Sequence, residues 1–322
     1  MTRAPTYSVV IPVFNEETGL EELYTQLCLV LDELDGPAEV ILVDDGSRDR
    51  SFEIMRLFAQ RDPRFYAIKL SRNFGHQMAL TAGCDYARGE ATITMDSDLQ
   101  DPPGVILEMA AKWREGYEIV FAVRRTRKVD SPFKRYSALF FYHLLKRCAA
   151  ISAPVNSADF RLVDRKVLES FQKLREKNRY IRGMFSWLGY KQTEVYFDRE
   201  ARYAGETKYP LWKMVKLGFD ALVSFSNVPL RFCMACGLTI AILSMLVGIA
   251  TIIGKVWHLG AFVAGWASLI VLISFIGGIH LFMLGILGEY LARVYDEVRA
   301  RPLYLVSELS SSRPTARDEF RD

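Results

Sequence analysis

The chain has 322 residues, with 41 Lys and Arg against 38 Asp and Glu, which gives a net charge of +3. This charge is too small to imply nucleic-acid binding, and the 50% hydrophobic and 25% charged content is ordinary for a globular protein. The five cysteines show no disulfide framework, and the C-x-x-C of Cys233 and Cys236 has no partnering His, which favours simple packing. The charged residues are unevenly distributed, because two long stretches near the C-terminus carry almost none.

Five near-continuous apolar runs in the N-terminal part predict strands buried on both faces. They cover residues 7–14, 38–45, 64–70, 91–96 and 117–123, and amphipathic helical patterns lie between them. Strand and helix alternating in this way predict an α/β domain over residues 1–200, with a doubly wound, mostly parallel sheet. Ligands of such sheets bind at the carboxyl ends of the strands, so we expect the chemistry at that edge.

Three carboxylates, Asp96, Asp98 and Asp101, follow the fourth predicted strand. Carboxylates packed this closely repel one another unless a cation lies between them. An EF-hand loop starting at Asp96 is excluded, because its sixth and twelfth positions would be Asp101 and Leu107. Asp96 and Asp98, with Gln100 as a neutral oxygen donor, suit Mg²⁺ or Mn²⁺. The alternative is an acidic turn in which Asp101 caps the helix that begins at residues 102–103.

Asp44 and Asp45 follow the second strand in the motif VDDGSRD. Their carboxylates could accept hydrogen bonds from a nucleotide base or a ribose, although Asp-Gly-Ser is equally common in ordinary turns. The chain contains no G-x-G-x-x-G after its first strand and no G-x-x-x-x-G-K-[ST]. Dinucleotide oxidoreductases and P-loop proteins are therefore disfavoured.

The C-terminal part predicts two membrane spans. Residues 232–254 carry no charge, and within 256–288 the ionisable side chains are His258 and His280, so each stretch could cross about 30 Å of hydrocarbon as a helix. Arginines precede the first stretch and follow the second (Arg231, Arg293, Arg299 and Arg301), which places both termini and the large domain in the cytoplasm. We expect amphipathic juxtamembrane helices and an acceptor loop at 201–229, spans within 230–292 and a polar cytosolic tail at 293–322, mobile after Ser307.

Four motifs in order, VVIPVFNEE, VILVDDGSRD, SRNFGHQMAL and DSDLQDPP, resemble those of family two glycosyltransferases with the GT-A fold. Over residues 6–300 the chain is most similar to the polyprenyl-phosphate glycosyltransferases. Its soluble part resembles the dolichol-phosphate mannosyltransferases, and its two C-terminal spans resemble those of the bactoprenol glucosyltransferases.

The resemblance implies a role for each matching position. The nucleotide sugar would be bound by Pro12, Phe14, Glu16, Asp44, Asp45 and Asp96, and the Mg²⁺ or Mn²⁺ ion by Asp96, Asp98 and Gln100. Asp98 and Asp159 would be the catalytic residues, with Asp159 orienting the acceptor or assisting its proton. The acceptor phosphate would be bound by Arg124, Arg135, Arg202, Thr207 and Lys208, although each basic residue could also be a surface or lipid-headgroup charge.

The resemblance implies an integral protein of the bacterial plasma membrane that transfers a hexose, with inversion, from a nucleotide sugar to a polyprenyl phosphate. The expected donor is UDP-glucose, and GDP-mannose or a UDP-linked modified pentose are the alternatives. A processive polysaccharide synthase is disfavoured, because the chain has no Q-x-x-R-W motif. A non-catalytic scaffold that binds nucleotide sugars is also an alternative, against which the presence of Asp96 and Asp98 argues. The sequence leaves a homo-oligomer open.

Overall fold

The computed structural model of the chain describes residues 5–125, 157–198, 228–257 and 266–310. These residues fall into two compact units. The sheet unit holds residues 5–125, 157–198 and 302–310, and the helical unit holds 228–257 and 266–301. The chain therefore leaves the sheet unit and returns to it near its C-terminal end.

The sheet unit alternates strands with helices, as the apolar runs predict. The first half contains β1 (Tyr7–Val13), α1 (Leu20–Glu33), β2 (Ala38–Asp44), α2 (Ser51–Arg61), β3 (Phe65–Leu70), α3 (His76–Tyr86), β4 (Ala91–Thr94), α4 (Val105–Arg114) and β5 (Ile119–Arg124). The rest contains β6 (Ser157–Asp164), α5 (Arg165–Lys173), α6 (Ile181–Trp187), β7 (Gln192–Phe197) and β8 (Val306–Leu309). The five predicted strands are β1 to β5.

The eight strands form one mixed sheet in the order β7-β5-β6-β4-β1-β2-β3-β8. The pairs β1–β2, β1–β4, β2–β3 and β5–β7 run parallel. The pairs β4–β6, β5–β6 and β3–β8 run antiparallel. The α/β prediction is thus confirmed. The predicted mostly parallel sheet is corrected to a mixed sheet, because β6 and β8 run antiparallel to the strands beside them.

Helix α3 packs against the central strands β1 and β2 through Gly83. Gly83 faces β1, and a Cβ atom on it would be 2.2 Å from Cγ1 of Val10 and 3.1 Å from Cγ2 of Val43. Such distances are below van der Waals contact, so no side chain fits there without movement. The glycine therefore sets how near the helix lies to β1 and β2.

The C-terminal segment joins the sheet and does not form a mobile tail over the described residues 307–310. β8 pairs with β3 at the sheet edge, with Ile68 opposite Leu309 and Lys69 opposite Glu308. Before it, the Tyr304 side chain is 2% exposed. This corrects the tail expectation, because the sequence SEL looks polar although it supplies an edge strand.

The helical unit contains two long helices, α7 (Val228–Val256) and α8 (Trp266–Val298). Helix α8 runs past residue 292 and so takes up the first residues of the predicted tail. Among the described residues, one segment, Phe275–Val298, is long and apolar enough to cross a membrane. The predicted juxtamembrane region at 201–229 lies almost wholly outside the described residues, as does His258.

Candidate active site

The candidate site lies where β1, β2 and β4 end, at their carboxyl edge. The loops after β1 and β2 are joined by hydrogen bonds: Asn15 Oδ1 accepts from the Arg48 N–H at 2.9 Å, and the Glu16 N–H donates to Ser51 Oγ at 3.0 Å. Asn15 holds a left-handed backbone with φ of 55°, which Asn tolerates better than most residues. The two loops thus form one connected rim.

The predicted nucleotide-pocket residues lie along this rim. Pro12 is buried within β1, opposite Val43 of β2, while Phe14 at the end of the strand is 44% exposed. Glu16 follows on the loop and is partly buried. Phe14 and Glu16 are therefore accessible to a ligand at this edge, and Pro12 supports them from within the sheet.

Asp44 and Asp45 are both buried and make different contacts. Asp45 accepts the N–H groups of Phe74 and Gly75 at 2.7 and 2.9 Å, and so holds the loop that leads into α3. Burial raises the pKa of Asp45 in spite of these bonds. Asp44 accepts the Ser47 N–H through Oδ1, and its Oδ2 has no hydrogen-bond partner among the described residues.

The acidic loop after β4 is held in place by Arg124. This arginine, at the end of β5, donates to Asp101 through Nε and Nη2 at 3.0 to 3.3 Å, and Asp101 is 1% exposed. Helix α4 has Gly104 at its N-cap and no side-chain cap. Asp101 therefore pairs with Arg124, and the helix-capping alternative is not observed. The acceptor-phosphate role of Arg124 stays a prediction.

Asp96 and Asp98 differ in their surroundings. Asp98 Oδ1 accepts the Gln100 N–H at 3.2 Å within the loop. Asp96 Oδ1 is buried and has no hydrogen bond within the described ranges, although His76 Nε2 lies 3.4 Å away. Burial, together with the charges of the neighbouring carboxylates, raises the pKa of Asp96 to about 6.

Asp159 on β6 lies next to Asp96. Thr94 of β4 is opposite Arg161 of β6 in the antiparallel ladder, and Thr94 Oγ1 donates to the Asp159 carbonyl at 2.7 Å. The Asp159 carboxylate accepts from Arg161 Nη2 at 2.6 Å and lies 3.4 Å from His76 Nε2. The structure thus brings Asp159 together with the metal-site candidates.

Cations keep Asp159 ionised. Burial opposes its charge, but the hydrogen bond from His76 and the charges of Arg161 and Arg182 outweigh it and lower the pKa of Asp159 well below its usual range. Burial likewise opposes a charge on His76, yet Asp159 and Asp96 raise its pKa. A carboxylate held in this way is a weak proton acceptor.

The residues present fit a divalent cation. The buried Asp96 oxygen lacks a hydrogen bond, and carboxylates are ligands that Mg²⁺ and Mn²⁺ prefer. Within the described part of the chain, no three His, Cys, Asp or Glu side chains converge as a metal site. Two carboxylates would leave the other coordination positions to diphosphate and water, which is common for Mg²⁺.

Sequence reasoning missed several contacts of Asp159. His76 and Gln77 begin α3, and Arg161 and Arg182 lie on β6 and α6; of these, His76 and Gln77 were in a quoted motif but had no assigned role. The remaining acceptor-site predictions, Arg135, Arg202, Thr207 and Lys208, lie outside the described residues.

Comparison with known proteins defines the class. The model of glycosyl transferase family 2 matches residues 8–171. The chain belongs to this family and is a glycosyltransferase, and its mixed sheet is of the GT-A type.

Particular relatives extend over nearly the whole chain. The uncharacterized glycosyltransferase YkcC of Bacillus subtilis is 47% identical, and the alignment covers 96% of this chain and 95% of that protein. The SfII prophage-derived bactoprenol glucosyl transferase of Shigella flexneri is 38% identical, with 95% of this chain and 99% of that protein aligned. Among solved structures, glucosyl-3-phosphoglycerate synthase from Mycobacterium tuberculosis with UDP is 18% identical at a TM-score of 0.47, covering 69% of this chain and 79% of that one.

Proposed function

We propose that this glycosyltransferase moves a hexose from a nucleotide diphosphate sugar to a polyprenyl phosphate at a membrane surface, with inversion at the anomeric carbon. Glucose from UDP-glucose is the proposed donor sugar. The bactoprenol glucosyl transferases among the full-length relatives support the acceptor class and the sugar. GDP-mannose and a UDP-linked pentose remain the alternatives for the experiment to separate.

The observation that carries this proposal is that Asp96 and Asp159 lie on either side of one histidine side chain, His76. Asp96 belongs to the acidic loop beside the nucleotide rim, and Asp159 to the next strand, with His76 Nε2 3.4 Å from both. The leaving diphosphate would lie on the rim side and the acceptor on the Asp159 side. This arrangement suits direct attack, because donor and acceptor would be bound by different elements at the same edge of the sheet.

A divalent cation would be held by Asp96 and Asp98, with Gln100 beside them. Such an ion neutralises charge that develops on a departing diphosphate. Arg124 supports the same loop by fixing Asp101 at its far end. In the loop after β4, Asp96 and Asp98 would thus bind the cation, while the Arg124 guanidinium holds the loop in place through Asp101.

The ionisation of Asp159 agrees with a phosphate acceptor. A sugar hydroxyl needs a general base to remove its proton, whereas a phosphate monoester, with a second pKa of about 6, is already anionic near neutral pH. Arg161 and His76 make Asp159 a poor base. We therefore assign it to orienting the groups around the acceptor, and its neighbours Arg161 and Arg182 to balancing the negative charge there.

We also propose that both long helices cross the membrane. Helix α8 carries no Asp, Glu, Lys or Arg from Trp266 to Gly288, which corresponds to about 35 Å of helix. In α7 the uncharged stretch 232–254 has a similar length, about 35 Å. Arg293, Arg299 and Arg301 beyond the second span support a cytoplasmic catalytic domain.

The proposal is tested with purified protein, a panel of nucleotide sugars and a short polyprenyl phosphate, with and without Mn²⁺. We expect metal-stimulated transfer of glucose from UDP-glucose and a β-linked product. Transfer from GDP-mannose in place of UDP-glucose would correct the donor. Donor binding without transfer to any phosphate would favour the scaffold and overturn the proposal.

A further inference from the structure

The segment after α8 is built into the catalytic domain by several independent contacts. The buried Tyr304 hydroxyl donates to Asp85 Oδ2 at 2.7 Å. The Ser71 N–H donates to the Leu305 carbonyl at 2.9 Å, and β8 then pairs with β3. At the end, Ser310 bonds to both backbone groups of Ala67, at 2.8 and 2.9 Å. The sheet unit thus holds residues 304–310 along their whole length.

One of these contacts is with α3, the helix that begins with the site residues His76 and Gln77. Asp85 lies in the last turn of α3 and also binds Arg175 at 2.8 and 3.0 Å. The first residues of α3 are His76 and Gln77, and Gln77 donates to Asp159 at 3.4 Å. Tyr304 therefore anchors the returning chain to the element that bears part of the candidate site.

The segment that joins α8 to Tyr304 is short. Five residues separate Val298, the last residue of α8, from Tyr304, so the two lie within about 20 Å even in a fully extended chain. The other connection, residues 199–227, has 29 residues and could span about 100 Å if it were fully extended. The C-terminal connection therefore sets an upper limit on the distance between Tyr304 and the end of α8.

The last part of α8 extends beyond its uncharged stretch. Beyond Gly288 the helix continues for ten residues, about 15 Å, of which four are charged. Arg293 donates to Glu289 at 3.0 and 3.2 Å, one turn apart, and such a pair of opposite charges stabilises a helix. The last ten residues of α8 and the five residues after it would keep Tyr304 within about 35 Å of the uncharged stretch.

We propose that residues 299–310 are a strand tether that limits the distance between the catalytic domain and the bilayer, so that its site can reach a membrane-embedded phosphate. This inference rests on the proposed function, because it requires a lipid acceptor. Within this tether, β8 pairs with the edge of β3 that faces away from β2, and its binding mode is strand addition to that edge.

The test lengthens the tether and leaves the strand intact. Flexible Gly-Ser insertions of four, eight and twelve residues are placed between Arg301 and Pro302 of the full chain, and the longest adds up to about 40 Å of reach. The matched control carries the twelve-residue insertion after Asp322. Each protein is assayed with a long polyprenyl phosphate in vesicles and with a short, water-soluble polyprenyl phosphate.

We expect transfer to the vesicle acceptor to fall with insertion length, at least tenfold for the longest, while transfer to the soluble acceptor changes less than twofold. The control should match the unmodified chain on both acceptors. Unchanged transfer in vesicles would overturn the proposal. An equal loss on both acceptors would also overturn it, because the segment would then only stabilise the fold.

A distance measurement separates failure of the tether from failure of the proposed function. A fluorescent amino acid at the exposed Glu115 reports energy transfer to dye-labelled lipids, whether or not the protein is active on any acceptor. Less energy transfer with longer insertions is the expected result. Constant energy transfer would refute the tether, and an unmodified chain inactive on both phosphates would contradict the proposed function instead.

Discussion

Replacing Arg124 by alanine is expected to destabilise the catalytic domain by about 3 kcal/mol, the usual cost of leaving one partner of a buried ion pair uncompensated. Arg124 makes three contacts of 3.0 to 3.3 Å with Asp101, whose side chain is 1% exposed. Without the guanidinium, that carboxylate stays buried beside Asp96 and Asp98. For a unit of this size, the loss corresponds to a fall of about 6 to 12 °C in Tm.

The neighbouring arginine provides a matched control. Arg125 lies 3.9 Å from Asp198, and both side chains are well exposed, so Arg125→Ala should change stability by less than about 0.5 kcal/mol. Thermal unfolding of the purified full chain measures both variants. Adding Asp101→Asn to Arg124→Ala removes the stranded charge and should restore at least half of the lost Tm. The reasoning is refuted if the Arg124 and Arg125 variants unfold at the same temperature.

Three further predictions concern single side chains. Asp98→Ala should reduce metal-stimulated transfer at least 100-fold at unchanged Tm, measured by Mn²⁺ titration; normal turnover would reject its metal role. Asp45→Ala removes two bonds to the loop before α3 and should raise the donor KM more than it lowers kcat, and a pure kcat effect would contradict this role. Burial opposes the charge of Asp62, but bonds from Arg64 lower its pKa, so the stability it adds is present at pH 7 and is lost as the pH falls below about 4. The Tm difference between the wild type and Asp62→Asn should therefore shrink at pH 3, and a constant difference would exclude this linkage.

The central strands of the sheet could be predicted because each is an apolar run buried on both faces. Strands β6 and β8 were harder. In β6 the sequence SADFRLVD fits either a strand or a helix over so few residues, and its antiparallel entry depends on the neighbours β4 and β5. In β8 the four residues are partly exposed at a sheet edge, so the pairing with β3 is a property of tertiary structure that a polar tail sequence does not reveal.

The carboxylates of the candidate site could be found from chemistry, since like charges in a short loop need cations nearby. Which side chains pair with them could not be found in the same way. Arg124 and Asp101 are 23 positions apart, and Gln77 and Asp159 are 82 apart. A buried arginine such as Arg161 follows no local pattern, because its place is set by the antiparallel register that puts it opposite Thr94.

The missing side chain at Gly83 links catalytic geometry to the interior of the protein. A methyl group there would meet Val10 Cγ1 at 2.2 Å, and relieving that clash would displace the helix by about 1.5 Å. His76 and Gln77, which contact Asp159, would move with it, and a misplacement of about 1 Å in an active site can cost about 100-fold in rate. An enzyme built in this way can be silenced from a position that no substrate ever touches.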